Sequence, residues 1–104
     1  MSVGPTNGEL PEEFKLYASY PNPFNPVTTI RFDVGITSPE STLRIYDVSG
    51  RNVTTLISGQ LQPGSYEVQW DATNNQGEPV SAGVYLYKIQ VGKFSQTNKM
   101  ILLK

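Results

Sequence analysis

Apolar residues recur at every second position along most of this chain, in short runs broken by glycine, proline and asparagine. That period belongs to strands with one buried face. The clearest run is Thr28 to Val34, where Ile30, Phe32 and Val34 share one face and Thr29, Arg31 and Asp33 the other. Thr42 to Tyr46 repeats it with Leu43 and Ile45 inward, and Asp47-Val48-Ser49-Gly50 then supplies a turn. Asn52 to Ile57 predicts a weaker strand, because Val53 and Leu56 fall out of period and point to a β-bulge. After Pro63-Gly64, Tyr66, Val68 and Trp70 alternate with Glu67 and Gln69. Asp71 to Gly77 is a polar loop of residues that tolerate unusual backbone angles. Gly83 to Val91 is the longest predicted strand, with Tyr85, Tyr87, Ile89 and Val91 on one face. Val91-Gly92-Lys93-Phe94 reads as a tight turn into a last strand over Ser95 to Leu103, and Phe14 to Tyr20 as a short edge-like strand at the front.

No helical period competes, so the pattern predicts an all-β fold, a seven-stranded immunoglobulin-like β-sandwich over residues 14–104 behind a linker-like leader, 1–13. One stretch interrupts the strand pattern. Pro21-Asn22-Pro23-Phe24-Asn25-Pro26 has three fixed φ angles and lacks three backbone donors, so it is expected outside any sheet or helix, as a rigid corner. Phe24 is its one large apolar side chain and is expected to cap an end of the core. A recognition role for this corner stands beside the structural one, because loops carry function more often than scaffolds do. Trp70 would stack on a sugar ring if it lined a groove, but its alternation with Tyr66 and Val68 places it in the core.

Composition narrows the chemistry. A chain of 104 residues makes one domain, and it has neither histidine nor cysteine. Imidazole acid–base catalysis, thiol nucleophiles, disulfides and zinc or haem ligation are therefore not expected. With 8 Lys+Arg against 9 Asp+Glu, there is no electrostatic case for nucleic acid or an anionic membrane. The charges are uneven: Glu9, Glu12 and Glu13 stand in the leader, and Lys88, Lys93, Lys99 and Lys104 towards the other terminus. No run is long and apolar enough to span a bilayer and no signal peptide is visible, so the chain reads as a piece of a longer protein or a subunit without its targeting segment. Asp33, Asp47 and Asp71 sit beside strand ends or turns, without the spacing of a paired-carboxylate site. The Asp71–Gly77 loop lacks the alternating acids and closing glutamate of a calcium loop. Asn52-Val53-Thr54 matches a glycosylation sequon, and Lys15, Lys88 and Lys99 are weak candidates for a lysine–asparagine cross-link. No enzymatic activity, cofactor or metal is expected.

Several blocks occur together in order: Leu10-Pro11-Glu12-Glu13-Phe14; Tyr20 through the proline corner to Phe32; Ile45-Tyr46-Asp47-Val48-Ser49-Gly50-Arg51; Gly64 to Asp71 around Trp70; Gly77 and Pro79 to Tyr85 with Gly83; and Lys99-Met100-Ile101-Leu102-Leu103-Lys104. With these blocks the chain resembles the C-terminal sorting domain (type A) of the type IX secretion system of Gram-negative bacteria. The resemblance implies a secretion signal behind an N-terminally fused cargo. It implies recognition by the secretion translocon after passage through the periplasm, and delivery across the outer membrane to the surface or medium. A sortase-type surface peptidase would then cut in the leader. The Lys99–Lys104 block would be the part that the machinery reads. Gly50 is expected at a positive φ, and Gly83 to enter its strand beside a bulky neighbour. The immunoglobulin-like domain of flagellar hook-capping proteins is similar in the Tyr46-to-Arg51, Trp70-Asp71 and Gly83-Val84-Tyr85 blocks. A third reading is a structural subunit that self-associates by donor-strand exchange through residues 1–20, using Val3, Leu10, Phe14 and Leu16.

Overall fold

The structure is a computed structural model and describes residues 14–35 and 38–103. Expectations that concern the leader 1–13 and Lys104 lie outside the described residues. Seven strands follow in order: β1 (Lys15–Leu16), β2 (Thr28–Val34), β3 (Ser38–Asp47), β4 (Asn52–Leu61), β5 (Gly64–Trp70), β6 (Gly83–Val91) and β7 (Phe94–Leu102). They form two antiparallel sheets, β1-β2-β5 and β4-β3-β6-β7. This is the immunoglobulin-like sandwich that the alternation predicts.

The inner faces carry the predicted residues. Ile30, Phe32 and Val34 of β2 meet Leu43 and Ile45 of β3 and Tyr85, Tyr87, Ile89 and Val91 of β6 in one buried cluster. Trp70 lies in the same cluster, edge-on to Tyr85 with ring centroids 5.3 Å apart. The bulges fall where the period fails: Leu43 pairs with Ile57 but Arg44 with Thr55, and Ile45 with Thr54 but Tyr46 with Asn52. Leu56 and Val53 are thus the extra residues. β3 and β4 run further than the apolar pattern indicates because Ser41 and Thr42 pair with Gly59 and Ser58, polar and glycine positions that hydrophobic period does not mark.

The first strand is shorter than expected. After Leu16 the chain leaves the ladder, keeping one bond from Tyr17 N–H to Arg31 O and an isolated two-bond bridge between Tyr20 and Thr29. The reason is a rival set of bonds across the sandwich. The Tyr87 hydroxyl accepts from Ser19 N–H (2.8 Å) and donates to Tyr17 O (2.8 Å), and the Asn98 amide donates to both that carbonyl and that hydroxyl. Leu16 is buried and Phe14 stacks on Phe94 at 5.0 Å. The residues from Phe14 to Tyr20, the latter part of the expected donor segment, are therefore seated on their own chain.

Two smaller expectations are corrected. Gly83 has φ 151°, and a side chain there would meet no atom within 4 Å of its Cβ, so its backbone conformation and not a bulky neighbour is what favours glycine. Lys15 and Lys99 are exposed and Lys88 is half-buried, so none has the buried setting a lysine–asparagine cross-link needs.

Tyr87→Phe removes the hydroxyl that holds Tyr17 and Ser19; it leaves the buried Ser19 N–H without that acceptor and Tyr17 O with only the longer bond from Asn98. A loss of about 1–3 kcal/mol is expected in urea denaturation, with the m-value unchanged.

Candidate partner-recognition site

The proline corner and the terminal strand, distant in sequence, form one element. Proline lacks an N–H, so the corner can satisfy a neighbouring strand only through its remaining backbone groups and its side chains. Phe24 supplies the backbone: its N–H donates to Ile101 O (2.9 Å), and its carbonyl accepts from Leu103 N–H (2.8 Å). Asn22 supplies the side chain. Its Nδ2 donates to Lys99 O (3.3 Å) and its Oδ1 accepts from Ile101 N–H (2.9 Å), so the carboxamide stands in for a peptide unit. The expectation that the corner lies outside the sheets holds except at Phe24, which makes an isolated parallel bridge to Leu102. The corner's three X–Pro bonds are cis.

The two faces of this element differ. Inward, the Phe24 side chain is 1% exposed and lies 5.8 Å from Trp70, between the sheets, while Met100 and Leu102 are buried beside it. The Trp70 indole N–H donates to Thr73 O (2.9 Å), which satisfies its one polar atom. Outward, Pro21, Asn22, Pro23, Asn25, Pro26 and Lys99 are exposed. So are Tyr20 (75%), Val27 (38%), Ile101 (36%) and Leu103 (51%).

Other residues singled out by sequence gather at the same pole. Tyr85 pairs with Met100 and Gly83 with Leu102, and the Tyr85 hydroxyl donates to Ser81 O (2.6 Å). Burial raises the Tyr85 pKa, with the Asp47 carboxylate adding to it. Gly50 (φ 89°) closes the turn after Asp47, whose Oδ1 accepts from the Ser49 hydroxyl (2.6 Å), Ser49 N–H and Arg51 N–H. The Ser49 hydroxyl and then the Arg51 amide hold the Asp47 carboxyl below the usual aspartate value. Val48, at the tip of this turn, is 73% exposed. Gly77 (φ 80°) belongs to the β5–β6 loop, where Asn74 Oδ1 accepts from the Gln76 and Glu78 amides. Gly64 opens β5 at the opposite pole and is not part of this group.

Sequence reasoning named both segments but not their union. The missing signal was Asn22: between two prolines, its amide is the corner's source of paired side-chain hydrogen bonds. On the outer face of the β1-β2-β5 sheet, a shallow groove holds Asp33, whose two oxygens accept one each from the Tyr17 (2.6 Å) and Ser65 (2.8 Å) hydroxyls. The hydrogen bond to that carboxylate, more than burial, raises the Tyr17 pKa.

Asn22→Ala should destabilise the fold by about 1 kcal/mol in urea denaturation, since two exposed hydrogen bonds are lost. Asn25→Ala, at an exposed neighbour, should change stability by less than about 0.5 kcal/mol.

A family model described as FlgD Ig-like domain matches residues 22–94, most of the chain, from the corner to the start of β7. No curated protein matches the chain. Among solved structures, it is similar to PorZ of Porphyromonas gingivalis, described as an essential bacterial surface component of the type-IX secretion system. That likeness has 26% identity and a TM-score of 0.58 and covers 86% of this chain and 11% of PorZ. It is also similar to dimeric latent PorU from the same organism, with 23% identity and a TM-score of 0.66 over 94% of this chain and 10% of PorU. A third likeness is to FlgD from P. aeruginosa, with 22% identity and a TM-score of 0.56 over 72% of this chain and 57% of that one. The last two likenesses speak to the fold alone, and the chain spans about a tenth of the PorZ and PorU chains. The sandwich and the family match agree: the chain belongs to the FlgD Ig-like domain family.

Proposed function

We propose that this domain is a non-catalytic sorting signal that directs an N-terminally fused cargo across the outer membrane through the type IX secretion machinery, to the cell surface or the medium. One observation carries the reading. Among the described residues, every large hydrophobic that is exposed (Tyr20, Val27, Val48, Ile101 and Leu103) lies at the pole built from the corner, the terminal strand and the Asp47 turn. Exposed apolar side chains gathered at one end mark a protein-binding surface. The polarity of the fold supports it: Phe14, where the chain enters, stacks on Phe94 at the far end of β7. Nine residues of strand separate that end from the recognition pole by about 30 Å. The likeness to PorZ supports the assignment to that machinery.

The family match and the likeness to FlgD favour a second reading, a hook-cap-like immunoglobulin domain that binds a neighbouring subunit. Both readings use protein partners and no small-molecule ligand.

The test fuses the chain behind a periplasmic reporter in a bacterium with type IX secretion. Deletion of residues 99–104 should trap the reporter in the periplasm. Because the deletion removes buried Met100 and Leu102, the decisive variant is Ile101→Lys combined with Leu103→Asp, which alters exposed side chains only. It should fold normally by circular dichroism and still be trapped. Normal export of the folded double variant contradicts a sorting role for this pole.

A further inference from the structure

The two sheets are unequal, and the smaller stops one strand early. Bonds from Tyr87 and Asn98 to Tyr17 place the first strand over β6 and β7. In the order β1-β2-β5 against β7-β6-β3-β4, β2 then covers the middle of the sandwich and β5 lies towards β3, so among the described residues β4 has no strand of the other sheet above it. Burial follows this geometry. Leu43 and Ile45 of β3 are sealed, but Val53, Leu56, Ile57 and Leu61 of β4 are only partly buried. On β5, Tyr66 and Val68 are partly buried although their β2 partners Phe32 and Ile30 are sealed.

Among the described residues, the edge beside this gap is bare. Thr29 exchanges both backbone bonds with Tyr20, and Arg31 O accepts from Tyr17 N–H. Odd residues of β2 therefore face β1 and even ones face β5. Their β5 partners are Gly64, Tyr66, Val68 and Trp70, so Ser65, Glu67 and Gln69 turn their N–H and C=O groups outward. Among the described residues, no strand takes them. The other edges are blunted. β1 has two residues; β4 is bulged twice and its start is capped by Asn75, which donates to Val53 O and accepts from Thr55 N–H; β7 ends under Asn22 and Phe24.

We propose that β5 accepts one added strand from another protein: an extended segment with apolar side chains at alternate positions and a lysine or arginine in the intervening row. Its apolar row would cover Leu56, Ile57 and the rims of Tyr66 and Val68, completing a four-over-four sandwich. Its basic residue would meet Glu67, whose side chain is 64% exposed and is paired at 3.8 Å with an equally solvated Arg31. The same charge argues against a second copy of β5, since antiparallel pairing centred on Glu67 sets two carboxylates opposite each other. This inference does not depend on the sorting role.

The test follows backbone amide exchange by NMR in the full chain, with and without a short peptide of alternating valine and lysine. Without peptide, the Ser65, Glu67 and Gln69 amides should exchange fast beside protected Tyr66 and Val68. Saturating peptide should slow those three by about tenfold or more. Glu67→Pro removes the central outward donor without breaking a ladder bond and should abolish the peptide's protection of the Ser65 and Gln69 amides. Glu67→Lys, a surface change that leaves the ladder intact, should weaken the lysine peptide by about tenfold, the scale of a reversed charge pair. The proposal is overturned if the peptide protects none of the three amides. It is also overturned if they are already protected in a chain of twice the monomer mass, which assigns the edge to a second copy.

Discussion

The structure depends on how Phe24 is held. Its ring is sealed between the sheets against Trp70, while its backbone is bonded on both sides to the terminal strand. Burying a phenylalanine contributes about 2–3 kcal/mol. That gain is available only if a loop with three prolines brings the ring to the right place and leaves few backbone groups unpaired. Asn22 meets the second condition by presenting an amide where a strand would present a peptide. The same residues therefore close the core and fix the end of β7.

This arrangement gives the pole two faces with different tasks. Phe24, Met100, Leu102 and Trp70 face inward and hold the sheets together. Tyr20, Val27, Ile101 and Leu103 face outward, held in place by that buried layer but unused by it. A partner at this pole would meet a surface whose backbone is already fixed, so little ordering would be needed on binding. The open side of the sandwich, at β4 and β5, is a different kind of surface, with backbone groups that no described strand takes and half-covered apolar residues. Opposite devices at the two sites, a capped edge and a bare one, separate their roles.

Much of the fold was legible because alternation is a local property. Strands such as β2 and β6 announce their faces residue by residue, and even the bulges at Val53 and Leu56 appear as breaks in period. What was not legible depended on partners distant in the chain. The shortening of β1 follows from the Tyr87 hydroxyl, about seventy residues away, and the extension of β3 and β4 from polar and glycine positions that hydrophobic period does not mark. The candidate site was half legible: both segments stood out by composition, but no local pattern reveals that Asn22 bonds Ile101. The bare edge of β5 was invisible for the same reason, since sequence does not tell which strand lacks a neighbour.

The central claim is that Phe24 holds the end of β7, and amide exchange in Phe24→Leu tests it most directly. Ile101 and Leu103 should lose more protection than the loss of global stability explains, while Leu43 in β3 should follow global stability alone. If the terminal amides and Leu43 change by the same factor, the corner fills space in the core without fixing the terminal strand, and the account is contradicted.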